Sequence, residues 1–399
     1  MNPSTSAGLL RARDGRKARV TEGELFFDLI YAFAITQLSH LLLHHPGPEG
    51  ALQTLILWFA VWLGWQYTCW VTNWFDPDAM PVRLLLFAVM ALGLLMAASL
   101  PEAFGARGLL FALSYVCIQV GRTVAVLLML GRGHPLFANF RRMGCWLAIS
   151  GVLWIAGGVA ADELRLLLWL LAVACEYASP MAGFAMPGLG RSSFADWRSA
   201  DGGHIAERCQ LFVILALGES VLVTGGTLGS AGQWDIPVVI AVLVCFLGSV
   251  AMWWVYFDTS AEAASHALEH AREPGQMAAS LHYVHVLLIA GIIVSAAADD
   301  LVIAEPGHHI GMASGTLLLV GPAVYLIGNA LYKRVIYGNI PLSHLVGLGL
   351  LALLVPVAPL TDLLMVGGLT SAVMCVVAAW ESVSRRRGRR AGVAGKTAA

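Results

Sequence analysis

The stretch "GELFFDLIYAFAITQLSH", Gly23 to His40, is apolar enough to begin a membrane-crossing helix, yet it carries Glu24, Asp28, Thr36, Gln37, Ser39 and His40. Ionisable groups inside a membrane are costly and as a rule face a partner or a wet crevice. At helical spacing, Glu24, Asp28, Ala32, Ile35 and Ser39 share one stripe, Thr36 flanks it, and Gln37 points to the opposite side. Two readings of the stripe stand side by side. Acids in a first turn are stabilised by the helix dipole, and the same stripe facing a crevice makes the mouth of a pore.

The rest of the chain sets the context. Of 399 residues, 58% are hydrophobic and only 12% are charged, with a mean hydropathy of +0.74. A soluble domain carries about 25% charged residues. Apolar runs of membrane-spanning length recur along almost the whole sequence, which makes the fold class an all-α polytopic membrane protein. Twelve spans are predicted, roughly at 24–44, 51–73, 82–100, 108–130, 143–161, 163–184, 205–228, 235–257, 280–299, 311–332, 342–358 and 361–382. The first is too long, and its leader too polar, for a cleaved signal peptide, so it reads as an uncleaved anchor. Between spans 8 and 9, the segment 258–276 is the longest internal loop, with room for a short helix.

Charge supplies the orientation. Both tails are basic, "RARDGRKAR" at the start and "SRRRGRR" at the end, and the positive-inside rule puts both in the cytoplasm. Of the 24 Lys and Arg, all but Arg107, Arg165 and Arg122 then fall on the cytoplasmic side. Arg107 and Arg165 go to outer loops and Arg122 lies inside span 4. The expected location is the cell (plasma) membrane, crossed many times. The seven cysteines (Cys69, Cys117, Cys145, Cys175, Cys209, Cys245 and Cys375) lack CxxC spacing and all fall in apolar spans, so they read as small apolar residues.

The chain also resembles itself. Glu24 opens span 1 and Glu207 opens span 7. Trp74-Phe75-Asp76 ends span 2, and Tyr256-Phe257-Asp258 ends span 8. Gly121-Arg122 in span 4 matches Gly328-Asn329 in span 10, and Glu176 in "CEYAS" matches Glu381 in "WESVS". This predicts two six-helix repeats, 23–190 and 205–384, with a linker at 191–204 and basic tails at 1–22 and 385–399. Six is even, so the repeats run parallel about an axis along the membrane normal.

Several polar groups fall inside these spans. Arg122 and Glu176 lie at similar depth and are predicted to pair, either as a helix-to-helix lock or in ion or proton passage. Glu219 lies twelve residues into span 7, about 18 Å from its start, as a proton or cation site or a hydrogen-bonded structural group. Asp76 and Asp258 sit among interfacial aromatics. Asp299 and Asp300 close span 9, where they attract cations or are simply solvated. His282 and His285 share a face of span 9. His266 and His270 have helical metal-site spacing beside Glu262 and Glu269, with no third ligand assigned. His44-His45 and His308-His309 read as solvated outer-loop pairs. There is no GxGxxG, P-loop or HExxH pattern, so no enzyme activity, catalytic residue, cofactor or metal is expected. The partners expected are the lipid bilayer and monovalent cations or protons, and no nucleic acid.

"ELFFDLIYAFAITQLSHLL", "NWFDPD" and "HIAERCQLFVILALGES" together resemble the bacterial low temperature requirement A family over roughly 20–385. That resemblance implies a polytopic inner-membrane protein associated by name with growth in the cold. "FFDLIYAFAIT" is also similar, more distantly, to the F-S-D first-helix motif of six-span-repeat potassium channels. Phe26 and Asp28 match its Phe and Asp, and Ala32, Ala34, Ile35 and Thr36 match further on. Phe27 replaces the Ser, and Phe33 takes the place of a pore-constricting isoleucine. In the second repeat Cys209, Gln210 and Leu211 replace F-S-D, and Ala216 takes the constriction position. This resemblance implies an ion pathway lined by spans 1 and 7, and a homodimer, because the channels assemble four six-span units. The expected function is an ion channel or a cation- or proton-coupled transporter. The alternative is a non-transporting scaffold or cold-adaptation factor whose buried charges only hold helices together. The candidate residues are Asp28, Thr36, Ser39, Arg122, Glu176, Glu207, Glu219, Asn329 and Glu381, with Asp76 and Asp258 at span ends.

Overall fold

A computed structural model describes residues 8–11, 18–193, 200–230, 234–269 and 274–397. Among them there are helices and isolated bridges but no strand. The helical segments are α1 (Glu22–His44), α2 (Pro48–Trp74), α3 (Met80–Ser99), α4 (Gly108–Leu130), α5 (Phe137–Val159) and α6 (Asp162–Met181), then α7 (Gly202–Ser230), α8 (Ile236–Glu269), α9 (Pro274–Ala304), α10 (Met312–Tyr337), α11 (Leu342–Leu354) and α12 (Leu363–Thr397). Ten of these are long and apolar enough to cross a membrane. The other two are α2 and α11. At 13 residues, α11 is about 20 Å long, shorter than a bilayer's ~30 Å core. The 27 residues of α2 include Trp58, Trp62, Trp65, Trp70 and Trp74, together with Gln66, Tyr67 and Thr68, so length does not exclude it but composition lowers its hydropathy. From Ile56 to Trp74 α2 is buried on nearly every side, as a helix central to a bundle is.

The chain forms two compact units. The first runs to Arg208 and includes Leu268–Ala279; the second comprises Cys209–Ala267 and everything from Ser280 onward. In the first, α1 packs on α2 and α3, α3 on α4, α4 on α5, α5 on α6, and α2 on α6. A short strap, Leu9 to Arg11, closes one end: Leu10 pairs with Phe75, the Arg11 amide donates to the Trp74 carbonyl (2.9 Å) and the Asp76 amide to the Leu9 carbonyl (2.9 Å). In the second unit α10, α11 and α12 pack on one another.

Three basic residues counted with the segments on either side of the membrane lie inside helices and are buried. Arg208 is in the second turn of α7 and Lys333 is near the end of α10; their side chains are 0% and 2% exposed, each in an ion pair. Arg165, in the first turn of α6, is also buried. Its guanidinium donates to the carbonyls of Gly157 (3.1 Å), Ala160 (2.9 Å), Ala103 (3.0 Å) and Gly105 (2.7 Å). These are end-of-helix and loop acceptors that lack intrahelical donors. Counting charges by loop missed this, because a long basic side chain can turn inward wherever carbonyls or carboxylates collect. The segment 258–269 is not a separate short helix either, since α8 continues to Glu269. Asp258 therefore sits within a helix, while Asp76 sits in the turn after α2. The seven cysteines are all free.

Arg165→Ala leaves four carbonyls without their donor, those of Gly157 and Ala103 on buried residues. We expect a loss of about 1.5–3 kcal/mol, the scale of hydrogen bonds to a charged group, read as a lower thermal midpoint of the detergent-purified protein. An unchanged midpoint would show that water replaces the guanidinium.

Candidate functional site

The polar residues of α1 converge with α7 and the strap inside the first unit. Thr21 caps α1: its hydroxyl accepts the Glu24 amide, and the Glu24 carboxylate accepts the Thr21 amide at 2.9 Å. Four residues on, Asp28 lies on the same face. From α7, His204 and Arg208, also four apart, come to meet them. Arg208 Nη1 is 2.8 Å from Glu24 Oε1, and Nη2 is 2.6 Å from Asp28 Oδ1. Arg11 Nη2 takes the second Glu24 oxygen at 2.8 Å. Helix α2 completes the ring: the Trp65 indole donates to Asp28 Oδ1 at 2.7 Å, Arg208 Nη1 reaches the Thr72 hydroxyl at 3.3 Å, and the Thr72 carbonyl accepts from Arg11 Nε at 2.7 Å. The Arg208 guanidinium also lies over the rings of Phe27 (5.7 Å) and Trp65 (5.9 Å).

The His204 tautomer follows from its neighbours. Asn73 accepts the Asp201 amide (2.9 Å) on Oδ1 and donates from Nδ2 to the Asp201 carbonyl (2.8 Å), which fixes its amide orientation. Nδ2 is then the group 3.2 Å from His204 Nδ1, so that ring nitrogen accepts. The proton sits on Nε2 and goes to Glu24 Oε1, 3.1 Å away. The imidazole is therefore uncharged, and two carboxylates balance two guanidiniums. Asp28 is neither a lone first-turn anchor nor an open pore mouth: it is buried and ion-paired. Its Oδ2 and Arg208 Nε are buried without hydrogen-bond partners.

A second network lies deeper. Within α4, a π-helical turn at Cys117–Gly121 immediately precedes Arg122; such turns recur at functional sites. The Arg122 guanidinium donates to the Gly64 carbonyl (3.2 Å), the Thr68 hydroxyl (3.0 Å) and Gln119 Oε1. Glu176 accepts from the Tyr115 hydroxyl (2.6 Å), the Ser150 hydroxyl (2.8 Å) and the Trp154 indole (3.0 Å). The predicted Arg122–Glu176 ion pair does not form. Gln119 Nε2 donates to the Tyr115 hydroxyl at 2.9 Å, so the two charges are joined through Gln119 and Tyr115. Gly64 is needed here, because a Cβ on it would lie 2.9 Å from the Tyr31 hydroxyl oxygen.

The second unit connects Asn329 and Glu381 in a similar indirect way. Lys333 Nζ is 2.7 Å from Glu381 Oε2. The Ser343 hydroxyl donates to Glu381 and is 3.1 Å from His344 Nδ1, while His344 Nε2 is 2.8 Å from Asn329 Oδ1. On α9, His285 Nδ1 donates to the Leu281 carbonyl (2.6 Å) and Nε2 accepts from the Tyr256 hydroxyl (2.7 Å); His282 is buried.

The remaining predicted residues are placed along the same helices and loops. The Thr36 hydroxyl donates to the Ala32 carbonyl (3.3 Å), and Ser39 is buried. Glu207 and Glu219 are half-buried on α7. Asp76 accepts the Asp78 amide (3.0 Å), and Asp258 accepts the Ser382 hydroxyl (3.1 Å). His44, His45, His308 and His309 are exposed. His270 lies outside the described residues, as do the side chains of His266, Glu262 and Glu269; among the described residues no cluster of His, Cys, Asp and Glu has the makings of a metal site. Phe26 and Phe33 are exposed at 55% and 37%, so Phe33 does not constrict the interior of its unit. Sequence reasoning missed Arg208, His204 and Arg11. The available signal was the matched spacing, two acids four apart in span 1 and two bases four apart in "HIAER".

Arg208→Met should cost about 3–5 kcal/mol, because both carboxylates are left buried without their counter-ion. Arg208→Lys should recover only part, since an ammonium lacks the planar fork that serves two carboxylates. Thermal midpoints of the two variants test this, and a full recovery by Lys would remove the fork from the account.

A sequence model of the bacterial low temperature requirement A protein (LtrA) matches residues 19–379. An uncharacterized protein of Rhizobium meliloti (strain 1021) is 37% identical over 385 residues, covering 96% of this chain and 93% of its own. No solved structure matches. With the family match covering nearly the whole helical region, the chain belongs to the bacterial low temperature requirement A (LtrA) family.

Proposed function

We propose that this LtrA-family protein is a transport protein of the bacterial plasma membrane, an ion channel or a cation- or proton-coupled carrier. In this reading the chain crosses the membrane twelve times as two parallel six-helix repeats, with both basic tails cytoplasmic. Support for the repeats comes from matched positions. Arg122 and Glu176 in the first half, and Asn329 and Glu381 in the second, are each joined through intervening side chains. The sequence pairs these same positions.

One observation carries the transport reading. Arg122 and Glu176 are both buried (2% exposed each), and each is held by polar groups that carry no charge. A purely structural lock gains most from direct contact, and even then a buried ion pair is often no better than apolar packing. Two opposite charges held apart by neutral side chains form instead a polar track inside an apolar bundle. In membrane proteins such groups mark ion pathways and proton relays. Monovalent cations or protons are the substrate class that fits. Kinship with the six-span-repeat channels enters only as shared architecture, given the outward Phe33 and the paired Asp28.

The scaffold reading also has an observation in its favour. Around Glu24 and Asp28 the charges balance completely, as in a fixed joint. Reconstituted liposomes assayed for potassium, sodium and proton flux separate the two. We expect flux above empty liposomes, reduced about tenfold or more by Glu176→Gln, the scale of losing one charge-assisted contact, with little change in thermal midpoint. No wild-type flux in any of the three assays would leave the scaffold reading standing.

A further inference from the structure

The second unit contains a small cavity of about 20 Å³, lined by residues of α8, α9, α10 and α12. That is room for a single occupant of about the size of a water molecule. Its lining residues include Asp299, Ser249, Ser295, Thr370, Ser371 and Leu318.

The chemistry of these groups is one-sided. The Ser371 hydroxyl donates to the Val244 carbonyl (3.1 Å), and the Thr370 hydroxyl donates to the Gly367 carbonyl (3.0 Å). With their hydrogens committed, both oxygens have only lone pairs left to offer. Pro322, inside α10, has no N–H to give the Leu318 carbonyl four residues earlier, so that oxygen also remains an acceptor. Ser295 Oγ, on a residue 6% exposed, is buried without a hydrogen-bond partner. It packs against α10 where Gly321 leaves space, since a Cβ there would lie 2.5 Å from Oγ. Asp299 has the neutral Cys245 thiol as its side-chain partner, and its neighbour Asp300 accepts the Thr227 hydroxyl. An anion would find no donor of full charge here; a cation finds one carboxylate and several neutral oxygens.

We propose that this cavity binds one hard monovalent cation of about sodium's size. The charge argues for a monovalent ion, because one carboxylate neutralises one positive charge, whereas calcium sites gather more oxygen ligands and magnesium keeps several waters. The cavity's volume argues for a desolvated ion. Thr370 lies seven residues into α12 from Leu363, about 10 Å along the helix, so the site is reached from within the apolar layer rather than at its surface. The assignment deepens the transport reading by naming the ion, and rests on that reading for its role.

The test uses full-length protein in detergent, with thermal midpoints measured across concentrations of sodium, potassium and choline chloride at constant ionic strength. A bound ion stabilises the folded state with a saturable concentration dependence. The midpoint should rise with sodium, less with potassium and not with choline. Asp299→Asn should abolish the response. Ser295→Ala, which removes one oxygen without enlarging any side chain, should weaken apparent sodium affinity about tenfold, the scale of one contact to a charged group. Equal midpoints in sodium and choline, a potassium response equal to or above that of sodium, or a full sodium response in both variants would overturn the site. Sodium stabilisation without liposome flux sinks the transport reading and leaves the site. Flux without sodium stabilisation sinks the site and leaves transport.

Discussion

One guanidinium holds two carboxylates. Arg208 grips Glu24 with one nitrogen and Asp28 with the other, and several other placements follow from that grip. It fixes which face of α1 turns inward. It fixes the rotation of α2, because Trp65 and Thr72 must supply the remaining hydrogen bonds. Through Glu24 it also fixes the strap, whose Arg11 takes the oxygen that Arg208 leaves. In a low-dielectric interior none of these charges can be released singly without leaving another uncompensated. The strap, α1, α2 and the start of α7 are therefore held as one joint.

Much of this order was legible in the sequence, and the illegible part has a physical pattern. Hydropathy located the helices, because a bilayer requires long apolar runs, and the polar stripe of Gly23–His40 announced a buried contact. Its partner was hidden because Arg208 stands near the start of an apolar run, where a cytoplasmic cation is the ordinary reading. Only the pairing of faces on two distant helices reveals it, and one sequence does not encode that pairing locally. Arg122 and Glu176 were found for the same reason that they were mispaired. Charges stand out in an apolar span, whereas Tyr115 and Gln119, which join them, look like ordinary span residues. The π-helical turn that precedes Arg122 has no signature in the spacing of apolar residues.

The two halves keep similar polar positions but handle charge differently. In the first, the cation of α4 is an arginine and Glu176 meets only neutral donors. In the second, Asn329 stands where the sequence match places Arg122, and the cation appears one turn later as Lys333, in direct contact with Glu381 at 2.7 Å. Moving the cation toward the helix end satisfies Glu381 there and takes fixed positive charge away from the asparagine position.

That relocation bears on where a mobile ion can rest. An arginine stays charged under all ordinary conditions, so a mobile cation passes the track of Arg122 and Glu176 more readily than it rests beside Arg122. The cavity of the second unit has no fixed cation in its wall; it has Asp299, four hydroxyls and a carbonyl freed by proline. Neutral oxygens give up an ion far more readily than a set of carboxylates does, and a site for a travelling ion must bind it weakly enough to release it. A division follows in which the first half holds its charges on fixed partners, and the second, besides its Lys333–Glu381 pair, sets one carboxylate among neutral groups, the arrangement that exchange of a monovalent cation requires.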